Sequence, residues 1–205
     1  MFRVLTAAGI VCFPILPVPR GALHEYEWND SRVFAGTTRR FWVYVPAQYA
    51  ESDPASLMVF QDAEWYMDLD FEVRAPIVLD NLIHRGEMPV TVVVFVEPSA
   101  YRNAEYDAFD DSYARFLLEE IVPAVRAAYT VTGDPDPWAS GGGRDGGHSA
   151  LTVAGRRPAP FRQLFAPLGL LRRVREGNGG VPASLTLPHT PTIRASTAPR
   201  AEKHR

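Results

Sequence analysis

Cysteine is nearly absent from the 205 residues. Cys12 stands alone, which excludes an intrachain disulfide and a thiolate zinc cluster. No stretch of about 18 apolar residues occurs, so no membrane-spanning helix is expected. Lysine is almost missing too: Lys203 stands against 20 arginines, a bias that points to GC-rich coding DNA. The formal net charge of −3 gives no global reason to expect nucleic acid. What remains is the balance of a globular chain, 46% hydrophobic and 22% charged, long enough to bury one real core.

The charge is unevenly spread. Residues 1–155 hold 11 arginines against 22 acids, whereas residues 156–205 hold 10 basic residues against Glu176 and Glu202. From Val174 onward no apolar period is visible, and Gly177, Gly179 and Gly180 give way to Pro182, Pro188, Pro191 and Pro199. Such a segment cannot bury enough apolar surface to offset chain entropy, so a solvated, poorly ordered tail is expected. A basic arm for nucleic acid is disfavoured because its charges are sparse and no aromatic is interleaved with them. At the other end, Arg3 and the apolar run 5–16 have the outline of a short secretion signal. Pro14 and Pro17 interrupt it and no small-x-small cleavage site follows. A cytoplasmic location is the expectation, with secretion to the periplasm or beyond as the alternative. Three parts result: an N-terminal segment 1–20, a domain 21–170 and a tail 171–205.

Strands and helices alternate through the middle part. Residues 39–46 (RRFWVYVP) set Phe41, Val43 and Val45 against Trp42 and Tyr44, a half-buried strand antiparallel to its neighbour. Residues 57–61 (LMVFQ) form a short buried strand. Pro76 can open a helix whose stripe is Ile77, Val78, Leu79, Leu82 and Ile83, and Gly86 can end it. Residues 91–96 (TVVVFV) lack polar alternation, as in a strand covered on both faces. Strand, helix, strand within about 40 residues predicts a right-handed crossover. Asp110, Asp111 and Ser112 can start a further helix carrying Tyr113, Phe116, Leu117, Ile121, Ala124, Val125 and Ala128, which Pro123 should kink or divide. A turn-rich loop 133–137, a Gly-rich segment, a helix near 147–157 and a short strand 162–165 follow. The alternation argues for a three-layer α/β sandwich with a mostly parallel sheet.

The Gly-rich segment (residues 138–149, WASGGGRDGGHS) carries the strongest chemical signal. A phosphate-binding loop would use clustered glycine N–H groups, but the Gly-Lys-Ser/Thr ending and the dinucleotide context are missing. A plain Gly-rich turn is the structural alternative. The third reading is a nucleophile elbow, the Gly-x-Ser-x-Gly corner between strand and helix. Gly142 and Gly146 have the right spacing, but the centre is Arg144, not serine.

With that segment in place, the chain resembles the esterase family of α/β-hydrolases that contains enterochelin esterase, esterase D type enzymes and mycolyltransferase-like proteins. The resemblance is carried by residues 36–49 (GTTRRFWVYVPAQY), 57–66 (LMVFQDAEWY), 78–89 (VLDNLIHRGEMP), 103–125 (NAEYDAFDDSYARFLLEEIVPAV) and 156–169 (RRPAPFRQLFAPLG), and spans roughly 23–169. It implies an α/β-hydrolase-like sandwich, incomplete at the C-terminus, and serine carboxylester hydrolysis of the siderophore-esterase type. In that chemistry a Ser attacks the ester carbonyl, a His takes the proton, an acid orients the His and backbone N–H groups hold the oxyanion. Carried onto this chain, one oxyanion donor is the N–H of Asp145. The other comes from the loop Asp62-Ala63-Glu64, where the family usually has Gly in place of Ala63. Arg102, Glu105, Tyr106 and Asp107 match a segment near the active site of siderophore-esterase relatives. A loop salt bridge with an aromatic anchor is the structural alternative for these four. Asp62, Tyr66 and His148 complete the candidate substrate pocket.

Three departures bear on activity. Arg144 occupies the nucleophile position, and a guanidinium has no nucleophilic oxygen. Ser140 lacks the first elbow glycine, Ser149 falls inside the following helix, and Asp145 lies one residue past the apex. The acid and histidine should both follow the nucleophile. The downstream acids are Glu176 and Glu202, with His148, His189 and His204, and none has a family-like context. From about Leu170 the resemblance stops. Reading GC-rich DNA out of frame yields Arg, Pro, Gly, Ala and Thr, so the tail is expected to be a frameshift product or the trace of a decayed gene. The expected function is ancestral ester hydrolysis with impaired activity, a pseudoenzyme. The alternatives are a non-catalytic anion-binding module, with Arg144 facing a carboxylate or catecholate, and a fragment with no function of its own. A small-molecule ester or anion is the expected partner, without nucleic acid or membrane, and the sequence is silent on oligomeric state. No metal cluster or cofactor motif appears, and serine-hydrolase chemistry needs neither.

Overall fold

The computed structural model describes residues 17–70, 73–106, 111–134, 138–142 and 163–165. The expected N-terminal signal, the helix near 147–157 and the tail 171–205 lie outside them, as do Asp107, Arg144, Asp145 and His148. The described residues form six strands: β1 (Ala22–Trp28), β2 (Arg39–Val45), β3 (Ser56–Gln61), β4 (Thr91–Val96), β5 (Ala139–Gly141) and β6 (Gln163–Phe165). They build one sheet in the order β1-β2-β4-β3-β5-β6. The pairs β1–β2 and β2–β4 are antiparallel, and β4–β3, β3–β5 and β5–β6 are parallel. This is the mixed, mostly parallel sheet expected for the fold.

Helices cover both faces, because alternate side chains of the central strands point to opposite cores. Val92, Val94 and Val96 of β4 join Phe41, Val43, Leu57 and Val59 in a core that also takes Tyr113, Phe116, Leu117, Ile121 and Val125. On the opposite face Val93 and Phe95 join Tyr44, Phe60, Ala63, Tyr66, Leu79 and Ile83. The second core is closed by α1 (Ala63–Met67) and α2 (Ala75–His84). Thr91–Val96 is buried at every position, which is why its sequence shows no polar alternation. The helix α2 sits between β3 and β4 in the chain, so the two parallel strands are joined by the expected crossover.

Three elements add detail to the sequence reading. Strand β2 keeps the expected alternation, with Phe41 and Val43 buried on one face and Arg40 exposed, but Tyr44 on the other face is buried as well, since α2 covers it. The buried side of α2 is polar in part. Asp80 takes the Tyr44 hydroxyl at 2.6 Å and the Gly21 N–H at 2.8 Å, and this network ties α2 to β2 and to the start of β1. Burial first, then the Asp80 carboxylate, pushes the Tyr44 hydroxyl far above the ordinary tyrosine range, so it stays a donor. Gly21 is required there, because a Cβ would sit 2.5 Å from the Tyr44 ring and 2.6 Å from the Val45 carbonyl oxygen. Asp80→Ala should therefore lower unfolding free energy by about 2–4 kcal/mol, as it strands one buried and one part-buried donor. Equilibrium urea unfolding reads the loss, and a change below about 0.5 kcal/mol would contradict the network's role.

The third concerns the long helix. It is divided into α4 (Ser112–Arg115), a π-helical stretch (Phe116–Ile121) and α5 (Val122–Ala128). The Val122 N–H bonds the carbonyl of Leu117, five residues back. Pro123 has no N–H, and its ring would press on the carbonyl four residues earlier. Widening the preceding turn removes that clash without a break, which is how the expected division is realised. Strand β1 and the short helices α1 and α3 (Arg102–Tyr106) carried no legible sequence period.

Candidate active site

Parallel strands bring their following turns to one edge of the sheet, and in open α/β sheets that carboxyl edge is where ligands bind. Here it receives Asp62 and Ala63 after β3, residues 97–106 after β4, and Gly142 after β5. Topology thus places the 57–66 and 102–106 segments together although some 40 residues of chain separate them.

Asp62 occupies a left-handed conformation, φ 59° and ψ 56°, at the junction of β3 and α1. Its side chain makes no helix cap. Both carboxylate oxygens instead accept from Arg102, Nε at 2.7 Å and Nη2 at 2.8 Å. The Arg102 guanidinium lies 4.9 Å over the Tyr106 ring. Ala63 is fully buried beside this turn. Tyr66 is buried and stacks on Phe60 at 4.4 Å. Burial, aided by the charge of Asp62, holds its hydroxyl well above the ordinary tyrosine range, so it can donate but not act as a base near neutrality.

Glu105 points elsewhere. Its two oxygens accept from Arg39 Nη1 and Nη2, each at 2.9 Å, and Ser99 Oγ donates to Oε1 at 2.6 Å. The Tyr106 ring packs edge-on against Tyr113 at 5.0 Å. Burial raises both hydroxyls, with Tyr113 and Asp62 adding to the shift at Tyr106. Of the segment singled out in the sequence, Arg102 therefore faces the Asp62 turn, while Glu105 and Tyr106 anchor α3 to the core.

Ser140 is wholly buried in β5 and takes a bond from Gln61 Nε2 at 3.3 Å, so its hydroxyl is closed to a substrate. Gln61 itself was not singled out in the sequence. It is fully buried with Oε1 unpartnered among the described residues, a polar end to an otherwise apolar strand that could have been noticed. Trp65 and Tyr101, chain neighbours of this site, expose 51% and 70% of their surface, which marks the carboxyl edge as aromatic as well as charged. A concavity of about 560 Å³, an open apolar groove, is lined among the described residues by Leu118, Val122, Pro123, Arg126, Ala127 and Trp138, none of them a candidate site residue. Among the described residues no group of three or more His, Cys, Asp or Glu side chains is placed to hold a metal ion, and no helix is long and apolar enough to cross a membrane.

The fold is shared with solved esterases. Enterochelin esterase from Shigella flexneri superposes with a TM-score of 0.60 at 20% identity, over 73% of this chain and 36% of that one. Ferric enterobactin esterase from Salmonella typhimurium gives 0.62 at 19%, over 72% and 36%. A ferulic acid esterase from the anaerobic fungus Anaeromyces mucronatus gives 0.62 at 16%, over 83% and 72%. The chain thus spans about a third of the length of the two enterobactin esterases. No curated protein matches it. A family profile described as "Esterase: Putative esterase" matches residues 32–171, which include β2 to β6, the Asp62 turn, Arg102 and the Gly-rich segment, and the chain belongs to that family of the α/β-hydrolase type.

Proposed function

We propose that this chain keeps the ester-binding edge of a carboxylic-ester hydrolase while lacking its nucleophile, so that it binds a small ester or the corresponding anion with little or no turnover. The observation that carries this reading is the meeting of the Asp62–Ala63 turn with Arg102 at the carboxyl edge of the sheet. In the esterase scheme the Ala63 and Asp145 N–H groups would hold the carbonyl oxygen. Arg144 stands where a serine would attack, and its guanidinium cannot form an acyl intermediate. Tyr66, Asp107 and His148 would line the pocket, with Arg102 behind the Asp62 turn, and residues 21–170 would form the functional unit. The Shigella esterase has been solved with enterobactin and with 2,3-dihydroxy-N-benzoyl-serine, so catecholates and their esters are the first ligands to try.

Two measurements test the reading. The purified chain should resist labelling by a fluorophosphonate and turn over p-nitrophenyl esters near the buffer rate. Arg144→Ser should restore no more than a residual rate, because without the histidine and acid of a triad at most about 10³–10⁴-fold over water is available from oxyanion stabilisation. A saturable melting shift with 2,3-dihydroxybenzoate, lost in Arg144→Ala, is the expected positive result. Covalent labelling of the unaltered chain would instead establish a working nucleophile and sink the reading.

A further inference from the structure

We infer that Arg102 is a positioning residue: its two-pronged bond to Asp62 locks the β3–α1 turn in a left-handed conformation, and Arg102 therefore acts through the turn rather than by touching a ligand. Among the described residues, Asp62 and Arg74 alone have positive φ without being glycine. A left-handed aspartate is tolerated but strained, and it persists where surrounding contacts over-determine it. The usual local contact is missing at Asp62. An aspartate at a helix start normally accepts from the N–H groups of the first turn, yet this one makes no such bond. Its carboxylate, 8% exposed, is instead paired with Arg102.

Arg102 can impose the conformation because α3 is itself immobilised. Glu105 is held by Arg39 and Ser99 through three bonds of 2.6–2.9 Å, and Tyr106 is buried between the Arg102 guanidinium and Tyr113. The chain of contacts runs from β2 through Arg39, Glu105 and the short helix to Arg102, and so to the turn after β3. Two oxygens and two nitrogens in one plane fix direction as well as distance, which a single point charge would not do. The purpose of this lock, presenting the Ala63 N–H to a ligand, rests on the proposed function; the lock itself does not.

Hydrogen–deuterium exchange on the full chain tests it without ligand or turnover, so its outcome is separate from that of the labelling and melting tests. In Arg102→Ala, exchange in the peptide 61–67 should rise roughly tenfold, while β4 keeps its protection. Arg102→Lys, which keeps the charge and loses the fork, should fall between the two. Glycine adopts the left-handed region without strain, so in an Asp62→Gly background Arg102→Ala should change the same peptide by less than about twofold. Unchanged exchange in Arg102→Ala overturns the inference. Equal acceleration in both backgrounds overturns it too, as does loss of protection that spreads through β4.

Discussion

Arg39→Ala should lower the unfolding free energy by about 3–5 kcal/mol, the cost of leaving one charge of a buried pair unpaired. Arg39 and Glu105 expose 1% and 7% of their side chains and are joined by two parallel bonds of 2.9 Å. The guanidinium is sandwiched 5.5 Å from Phe34 and 5.0 Å from Phe116, so water cannot take the place of a lost partner. Truncation removes this stacking as well as the fork and leaves the Glu105 carboxylate buried with only Ser99. Against a total stability of about 5–15 kcal/mol the loss is large, and for a chain of this size it corresponds to a melting point lower by roughly 10 °C or more. Guanidinium-induced unfolding of the wild type, Arg39→Ala and Arg39→Met/Glu105→Leu gives the test. The double variant should recover most of the loss, because apolar groups of similar volume need no partner. A single-variant loss under about 1 kcal/mol would show that the pair is solvated and would remove the anchor on which α3 depends.

Glu120→Ala should cost a similar amount, about 2–4 kcal/mol, through a different mechanism. Glu120 lies in the π-helical stretch and is almost fully buried. Its oxygens accept from the Arg32 and Val33 N–H groups at 2.9 Å and from Trp28 Nε1 at 3.0 Å. One carboxylate therefore ties the loop between β1 and β2 to the helix layer, and its removal leaves two backbone donors and an indole without their acceptor. Burial alone would raise the Glu120 carboxyl, but bonds from Ser31, Val33, Trp28 and Arg32 outweigh it and hold the group below the ordinary glutamate value of 4.5. The stabilisation is thus present in full above that value and is lost as pH falls through the depressed folded-state one. Melting curves between pH 7 and pH 3 should show a decline on the acid side that is smaller in Glu120→Gln, whose amide cannot titrate. An acid decline of equal size in both proteins would place the titrating group elsewhere.

The sequence alone determined the α/β class, the order of β2, β3, α2, β4 and β6, and the family. These were legible because each rests on a local period or a contiguous motif. A valine run without alternation means a strand covered on both sides, and Thr91–Val96 is covered on both sides. A proline inside an apolar helical stripe means a division, and a π-helical stretch lies before Pro123. Strand β1 was not legible, because its exposed pattern follows from pairing with β2 and not from a buried face of its own.

The tertiary structure decided which polar residues work as pairs. Asp62 with Arg102, Arg39 with Glu105, Tyr44 with Asp80 and Glu120 with the 28–33 segment are separated by 36 to 92 residues, and no local spacing relates their members. Each pair forms because parallel strands return their ends to one edge and helices close over both faces, which brings distant polar groups into surroundings where an unpaired group is costly. Arg102 and Glu105 lie one helical turn apart and look interchangeable as pocket residues in the sequence. Only the packing of α3 turns one toward the Asp62 turn and the other into the core, since the two side chains leave a short helix whose inner face is already committed to Arg39.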